Sequence, residues 1–160
     1  MVLSKGYMDD TTKQLFTDFF TELLGFSPDL DISESEEQIT LQLQLEPQHS
    51  GVLIGYQGET LNAIQLILSL VYQRAHDDWK PIRLNINDYR QKRQQSLEAL
   101  AGNAAAKAVT EGVSVSLTGL TSYERRIVHA FLTDDPSVVT HSEGEDPHRY
   151  LIVSPKPKDQ

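Results

Sequence analysis

The chain has 160 residues, 39% hydrophobic and 23% charged, the makeup of an ordinary globular protein with room for one domain or two small ones. It contains no cysteine, which excludes disulfides and thiolate metal sites, and no run near the ~20 apolar residues that span a bilayer. The formal net charge of −9 argues against a broad basic footprint, yet most of it sits at the front, where residues 1–50 hold 2 Lys and 10 Asp/Glu; residues 51–100 hold 6 Lys/Arg and 5 acids. Met1 to Asp10 lack the basic start and apolar core of a leader, so the expected location is cytoplasmic, with no membrane insertion.

Leu15, Phe16, Phe19, Phe20, Leu23 and Leu24 repeat at helical spacing, which predicts an amphipathic helix from about Asp10 to Leu24, stopped by Gly25 and Pro28. Leu30 and Ile32 suggest a short strand. Ile39, Leu41, Leu43 and Leu45 alternate with polar residues, the pattern of a half-buried strand. After Pro47 comes Leu53-Ile54-Gly55-Tyr56-Gln57-Gly58-Glu59-Thr60-Leu61, read as a glycine loop following a strand pattern and opening a helix to about Ala75. Leu61, Ile64, Ile67, Leu68 and Val71 are expected on the buried face of that helix, and Ile82, Leu84 and Ile86 form a third strand. Asp88 is expected to cap a long helix from Tyr89 to about Glu111, ended by Gly112. Val113, Val115 and Leu117 alternate as a strand, and Thr121-Ser122-Tyr123-Glu124 reads as a capping box opening another helix. Val138-Val139 and Tyr150 to Val153 read as strands about a turn at Gly144 to Pro147, and Ser154 to Gln160 as a disordered polar tail. The mixture predicts an α+β layer structure with helices covering one face of a small sheet. No internal repeat is present.

Two constellations carry chemistry. In the first, two glycines three apart let the chain turn sharply and let a ligand backbone lie against it. The helix that follows offers free N–H groups and a positive dipole end, suited to phosphate. Ile54, Gly55, Tyr56, Gln57 and Gly58 are therefore candidate contacts for a single-stranded nucleic acid, with Tyr56 able to stack on a base. In the second, helical geometry is taken to aim Ile127, Val128, Phe131 and Leu132 at the core and to group Arg125, Arg126 and His129 on the other side. Arg125 and His129, one turn apart, then form a phosphate patch, although a solvated helix face has the same pattern. Arg90, Lys92 and Arg93 open the long helix and are open to two readings, phosphate contacts or a charged surface paired with nearby acids. The acids and histidines between His141 and His148 match no defined metal site and read as a hairpin turn, so no metal and no cofactor is expected. No nucleophile stands in a recognisable setting: Gly-x-Ser-x-Gly, a phosphate-binding Gly-Lys-Ser/Thr loop and His-Glu-x-x-His are all missing, and no enzymatic activity is expected.

Together these features resemble the Jag (SpoIIIJ-associated) family, which joins a KH domain to an Arg-x-x-x-His, or R-three-H, domain. Ile54-Gly55-x-x-Gly58-x-x-Leu61-x-x-Ile64 is similar to the KH signature, and Tyr123-Glu124-Arg125-Arg126-Ile127-Val128-His129 to that of the second domain. Asp88-Tyr89-Arg90-x-x-Arg93 is similar to the start of the family's linking helix, and Ser142 to Arg149 to its closing turn, where an arginine, here Arg149, returns toward the Arg/His helix. The resemblance implies a type II KH domain over residues 10–88, a linking helix over 89–112, an R-three-H domain over 113–153 and a tail over 154–160. It further implies binding of single-stranded RNA, with single-stranded DNA as second candidate, no cofactor, pairing with a small single-KH protein, and a part in bacterial growth and division control. The chain departs from the family pattern at Tyr56-Gln57, where basic residues are common, and at Tyr150, where a second arginine is common. The small N-terminal domain of many members is also expected to be absent. The alternative is a protein-interaction adaptor on a KH scaffold with weakened RNA binding, suggested by the acidic charge and the uncharged loop.

Overall fold

A computed structural model describes residues 9–157. The chain divides into two compact units, the first ending at Tyr89 and the second beginning at Arg90.

In the first unit, α1 (Asp10–Leu24) is capped by Asp9, whose carboxylate accepts from the Thr12 N–H, and ends on left-handed Gly25. Strands β1 (Asp29–Glu34), β2 (Ile39–Gln44) and β3 (Ile82–Ile86) form one sheet in that order, β1 antiparallel and β3 parallel to β2. The parallel register sets Ile39 beside Ile82, Leu41 beside Leu84 and Leu43 beside Ile86. Because strand side chains alternate, all six point to one face, where they are buried with Phe16, Phe20, Leu61, Ile64 and Leu68. The opposite face carries Asp31, Thr40, Gln42, Arg83 and Asn85.

Residues Pro47–Ile54, for which the sequence predicted no helix, form a helix, α2, with proline in its first turn. The glycine loop thus follows a helix rather than a strand. A single 3-10 turn, Tyr56–Gly58, then leads into α3 (Glu59–His76). On α3, Leu61, Ile64 and Leu68 are buried as expected, whereas Ile67 is 46% exposed and lies beside exposed Leu66 and Leu70; Ser69 and Tyr72 take the inward places. Asn87 ties the unit together. Its side chain accepts from the Leu45 N–H (2.8 Å) and donates to the Leu45 carbonyl (2.6 Å), which fixes the chain as it leaves β2. Asp88 precedes the next helix. It has φ 56°, and its carboxylate accepts from Gln42 and Asn85 on the open sheet face.

The second unit is built on α4 (Tyr89–Glu111), β4 (Val115–Leu117), α5 (Ser122–Leu132), β5 (Val138–Glu143) and β6 (Tyr150–Pro155). The antiparallel sheet has the order β4-β6-β5. Leu97, Ala101, Ala104, Ala105 and Ala108 of α4 form a buried stripe against Leu117, Val128, Leu132, Val138, Leu151 and Val153. Alanine at these places keeps helix propensity high and gives the core a small apolar side chain. Most of the helix between the two patterns is therefore a core element of the second unit. The start of the expected tail is also ordered: Ser154 and Pro155 belong to β6, and the Lys156 N–H donates to the Ser137 carbonyl. Residues 158–160 lie outside the described residues. His141 and Glu143, read as part of a turn, lie on β5 instead. The α+β class is as expected, with small sheets each covered by helices on one face.

Candidate nucleic-acid interface

The loop between α2 and α3 depends on its glycines. Gly55 has φ 69° and ψ −171°, a conformation essentially confined to glycine. A Cβ there would lie 2.0 Å from Thr60 Oγ1 and 2.7 Å from Thr60 Cβ, so only a bare α-carbon fits against the start of α3. Gln57 and Gly58 follow in the left-handed region, at φ 51° and 85°. A Cβ on Gly58 would lie 3.1 Å from the Tyr89 ring, which packs beneath the loop. Ile54 is half-buried and anchors the loop to the core. The side chain this backbone presents is Tyr56, 69% exposed, its hydroxyl accepting from Gln57 Nε2. Gly58, as N-cap of α3, has no side chain to bond the first N–H groups of the helix. Glu59, exposed in the first turn, suits the helix dipole. The loop thus combines a bare backbone, an aromatic face and a helix start, with no cation on its own residues.

The second constellation is rearranged. Arg125 is 7% exposed and does not lie beside His129 in solvent. It stands two turns from Leu132, roughly 20° away around the helix, and so points inward with it. One guanidinium nitrogen donates to the Leu120 carbonyl (2.8 Å) and the Arg149 carbonyl (3.3 Å). The other donates to Ser122 Oγ (2.9 Å) and Asp146 Oδ1 (3.3 Å). The planar fork of arginine suits such multiple acceptance, and here it pins the closing turn to the start of α5. Phe131, expected in the core, is 49% exposed, while Val128 and Leu132 are buried.

Glu124 is also buried and is used on both oxygens. One accepts from Arg93 Nε (2.7 Å), the other from the Thr121 N–H (3.0 Å), completing the expected capping box. Arg93 is therefore held in an internal ion pair, and of its two readings the pairing with an acid describes its position. Arg90 is exposed in the first turn of α4. Arg126, His129 and the side chain of Arg149 are exposed. His129 Nδ1 is hydrogen-bonded to Thr140 Oγ1 on β5, a partner that sequence spacing gave no means of finding. Among the described residues no group of three or more His, Cys, Asp or Glu could hold a metal ion, and no helix is long and apolar enough to cross a membrane.

Comparison with known proteins divides the chain in a similar way. The KhpA/KhpB KH domain matches residues 13–86, and the R-three-H domain matches residues 95–155. The chain is 37% identical over 135 residues to the RNA-binding protein KhpB of Clostridium symbiosum, covering 84% of this chain and 61% of that one. It is 37% identical over 132 residues to RNA-binding protein KhpB of Lactiplantibacillus plantarum, covering 82% of this chain and 40% of the relative. For the protein of the same name in Bacillus subtilis the identity is 28% over 145 residues, with 89% and 69% covered. The chain thus spans about two fifths to three fifths of the length of the first two relatives. With a KhpA/KhpB-type KH domain followed by an R-three-H domain, it belongs to the KhpB, or Jag, family.

Proposed function

From that membership we propose that the chain is a non-enzymatic binder of single-stranded RNA, with single-stranded DNA as the second candidate. The observation that carries this reading is the loop at Gly55–Gly58, whose backbone is bare at a place where any Cβ would collide with Thr60. A loop of this kind clamps about four nucleotides in the KH module. In our reading Ile54 to Gly58 hold the sugar-phosphate backbone, Tyr56 stacks on a base, and Arg90 approaches phosphate. In the second unit the contacts fall to Arg126, His129 and Arg149, which are exposed, while Arg125 and Arg93 hold the structure that presents them. The net charge of −9 makes the binding modest and strongly salt-dependent. The adaptor alternative is not favoured, since the relatives are named for RNA binding.

We further propose a small single-KH protein as partner, a cytoplasmic place of action and a role in growth and division control. Exposed Leu66, Ile67 and Leu70 on one face of α3 support a protein partner for the first unit. Titrating a short single-stranded RNA into the isotope-labelled chain tests the central reading. Amide shifts should cluster at residues 54–59 and around 126, 129 and 149. Shifts confined to α3, or none at low salt, would overturn it.

A further inference from the structure

We infer that Thr140 is a positioning residue that holds His129 as its Nε2–H tautomer and aims that N–H outward at a phosphate oxygen. This rests on the reading above, in which His129 touches the nucleic acid. Thr140 belongs to neither sequence motif. It lies in mid-strand on β5, an edge strand, on the same face as fully buried Val138. Its cross-strand neighbour is buried Val153. Valine would suit packing there, and threonine differs from it by one hydroxyl in nearly the same shape. That hydroxyl bonds His129 Nδ1.

The chemistry follows from what each atom can donate. A neutral imidazole has one donor and one acceptor nitrogen, and the partner of one decides the role of the other. When the threonine hydroxyl donates to Nδ1, the proton of the neutral ring must sit on Nε2. When the ring is protonated, the hydroxyl turns and accepts from Nδ1–H, and Nε2–H is unchanged. A hydroxyl that donates to the neutral ring and accepts from the charged one therefore lets Nε2 stay a donor in both charge states. A carboxylate in the same place could only accept from Nδ1–H and would leave the neutral ring with an acceptor facing the phosphate. Exposed Arg126 lies three residues before His129 on α5, one turn away, so a phosphate met by Nε2–H also meets a guanidinium.

The test has two parts, and the first needs no nucleic acid. Nitrogen-15 spectra of the neutral imidazole, taken at alkaline pH, should show His129 as the Nε2–H tautomer in the wild type and in Thr140→Ser. In Thr140→Val they should show a mixture. An Nδ1–H or mixed wild-type ring, or an unchanged ring in Thr140→Val, would overturn the proposal. In the second part, Thr140→Val should weaken RNA binding about fivefold, Thr140→Ser should restore it to within about twofold, and Thr140→Val should add nothing on a His129→Ala background. An equal loss on that background would overturn the positioning role. If the tautomer is as stated but His129→Ala binds like wild type, the failure lies with the reading of His129 as a contact, and the outward-facing half of the proposal falls with it.

Discussion

Replacing Gly55 with alanine should cost the first unit about 2–6 kcal/mol. Two terms add. The backbone at φ 69° and ψ −171° lies in a region nearly closed to residues with a Cβ, a strain of about 1–3 kcal/mol. The new methyl would also meet Thr60 at Oγ1 (2.0 Å), Cβ (2.7 Å) and the backbone N (3.0 Å). Rotating Thr60 relieves only the first of these, so overpacking adds about 1–3 kcal/mol. Gly51 is the internal control. It lies within α2, an added Cβ would meet nothing within 4 Å, and alanine there should stabilise by about 0.5–1 kcal/mol. Trp79, the single tryptophan, belongs to the first unit, so denaturant unfolding followed by its fluorescence reads the relevant transition. A Gly55→Ala loss below about 0.5 kcal/mol would refute the steric account of the loop. So would equal effects of the two substitutions.

Three further outcomes concern the second unit. Arg125→Ala should lower its stability by about 2–3 kcal/mol in a thermal melt, because the Leu120 carbonyl loses its charged donor, and Arg125→Lys should recover less than half, since one ammonium cannot reach four acceptors. Thr121→Ala should cost about 1 kcal/mol through the lost capping box, measured in the same melts. Asp135 has its pKa lowered by hydrogen bonds from the Ser137 hydroxyl and N–H. A carboxylate favoured in the folded state stabilises above its unfolded pKa, and that contribution fades as pH falls below about 4 toward the lowered native value. Asp135→Asn should therefore flatten the stability profile in that acid window and leave its shape at neutral pH unchanged.

The parts of this fold legible in the sequence are those where burial imposes a period. The alternation at Ile39-Leu41-Leu43 and Ile82-Leu84-Ile86 predicted strands because all six side chains share one buried face. Helix α2 was not legible: eight residues holding Pro47, His49, Ser50 and Gly51 give no amphipathic repeat, and only a proline at the first turn hinted at it. Gly55 and Gly58 were legible as a pair, but not that one abuts Thr60 and the other Tyr89. The Arg/His pair was misplaced because i, i+4 neighbours were assumed to share the solvent. Arg125 is nearer in angle to Leu132 than to His129, and acceptors at Leu120, Asp146 and Arg149 hold it buried. The Thr140 contact bridges 11 residues and two elements, and no local pattern encodes it.

The central claim is that this chain grips single-stranded RNA through the Gly55–Gly58 loop. Fluorescence anisotropy of a short labelled single-stranded RNA, run at low and moderate salt with wild type and Tyr56→Asp/Gln57→Asp, tests it most directly. The claim predicts salt-dependent wild-type binding, weakened at least about tenfold by two acids placed where phosphate would lie. A wild type that fails to bind at low salt, or a variant that binds as well as wild type, would contradict it.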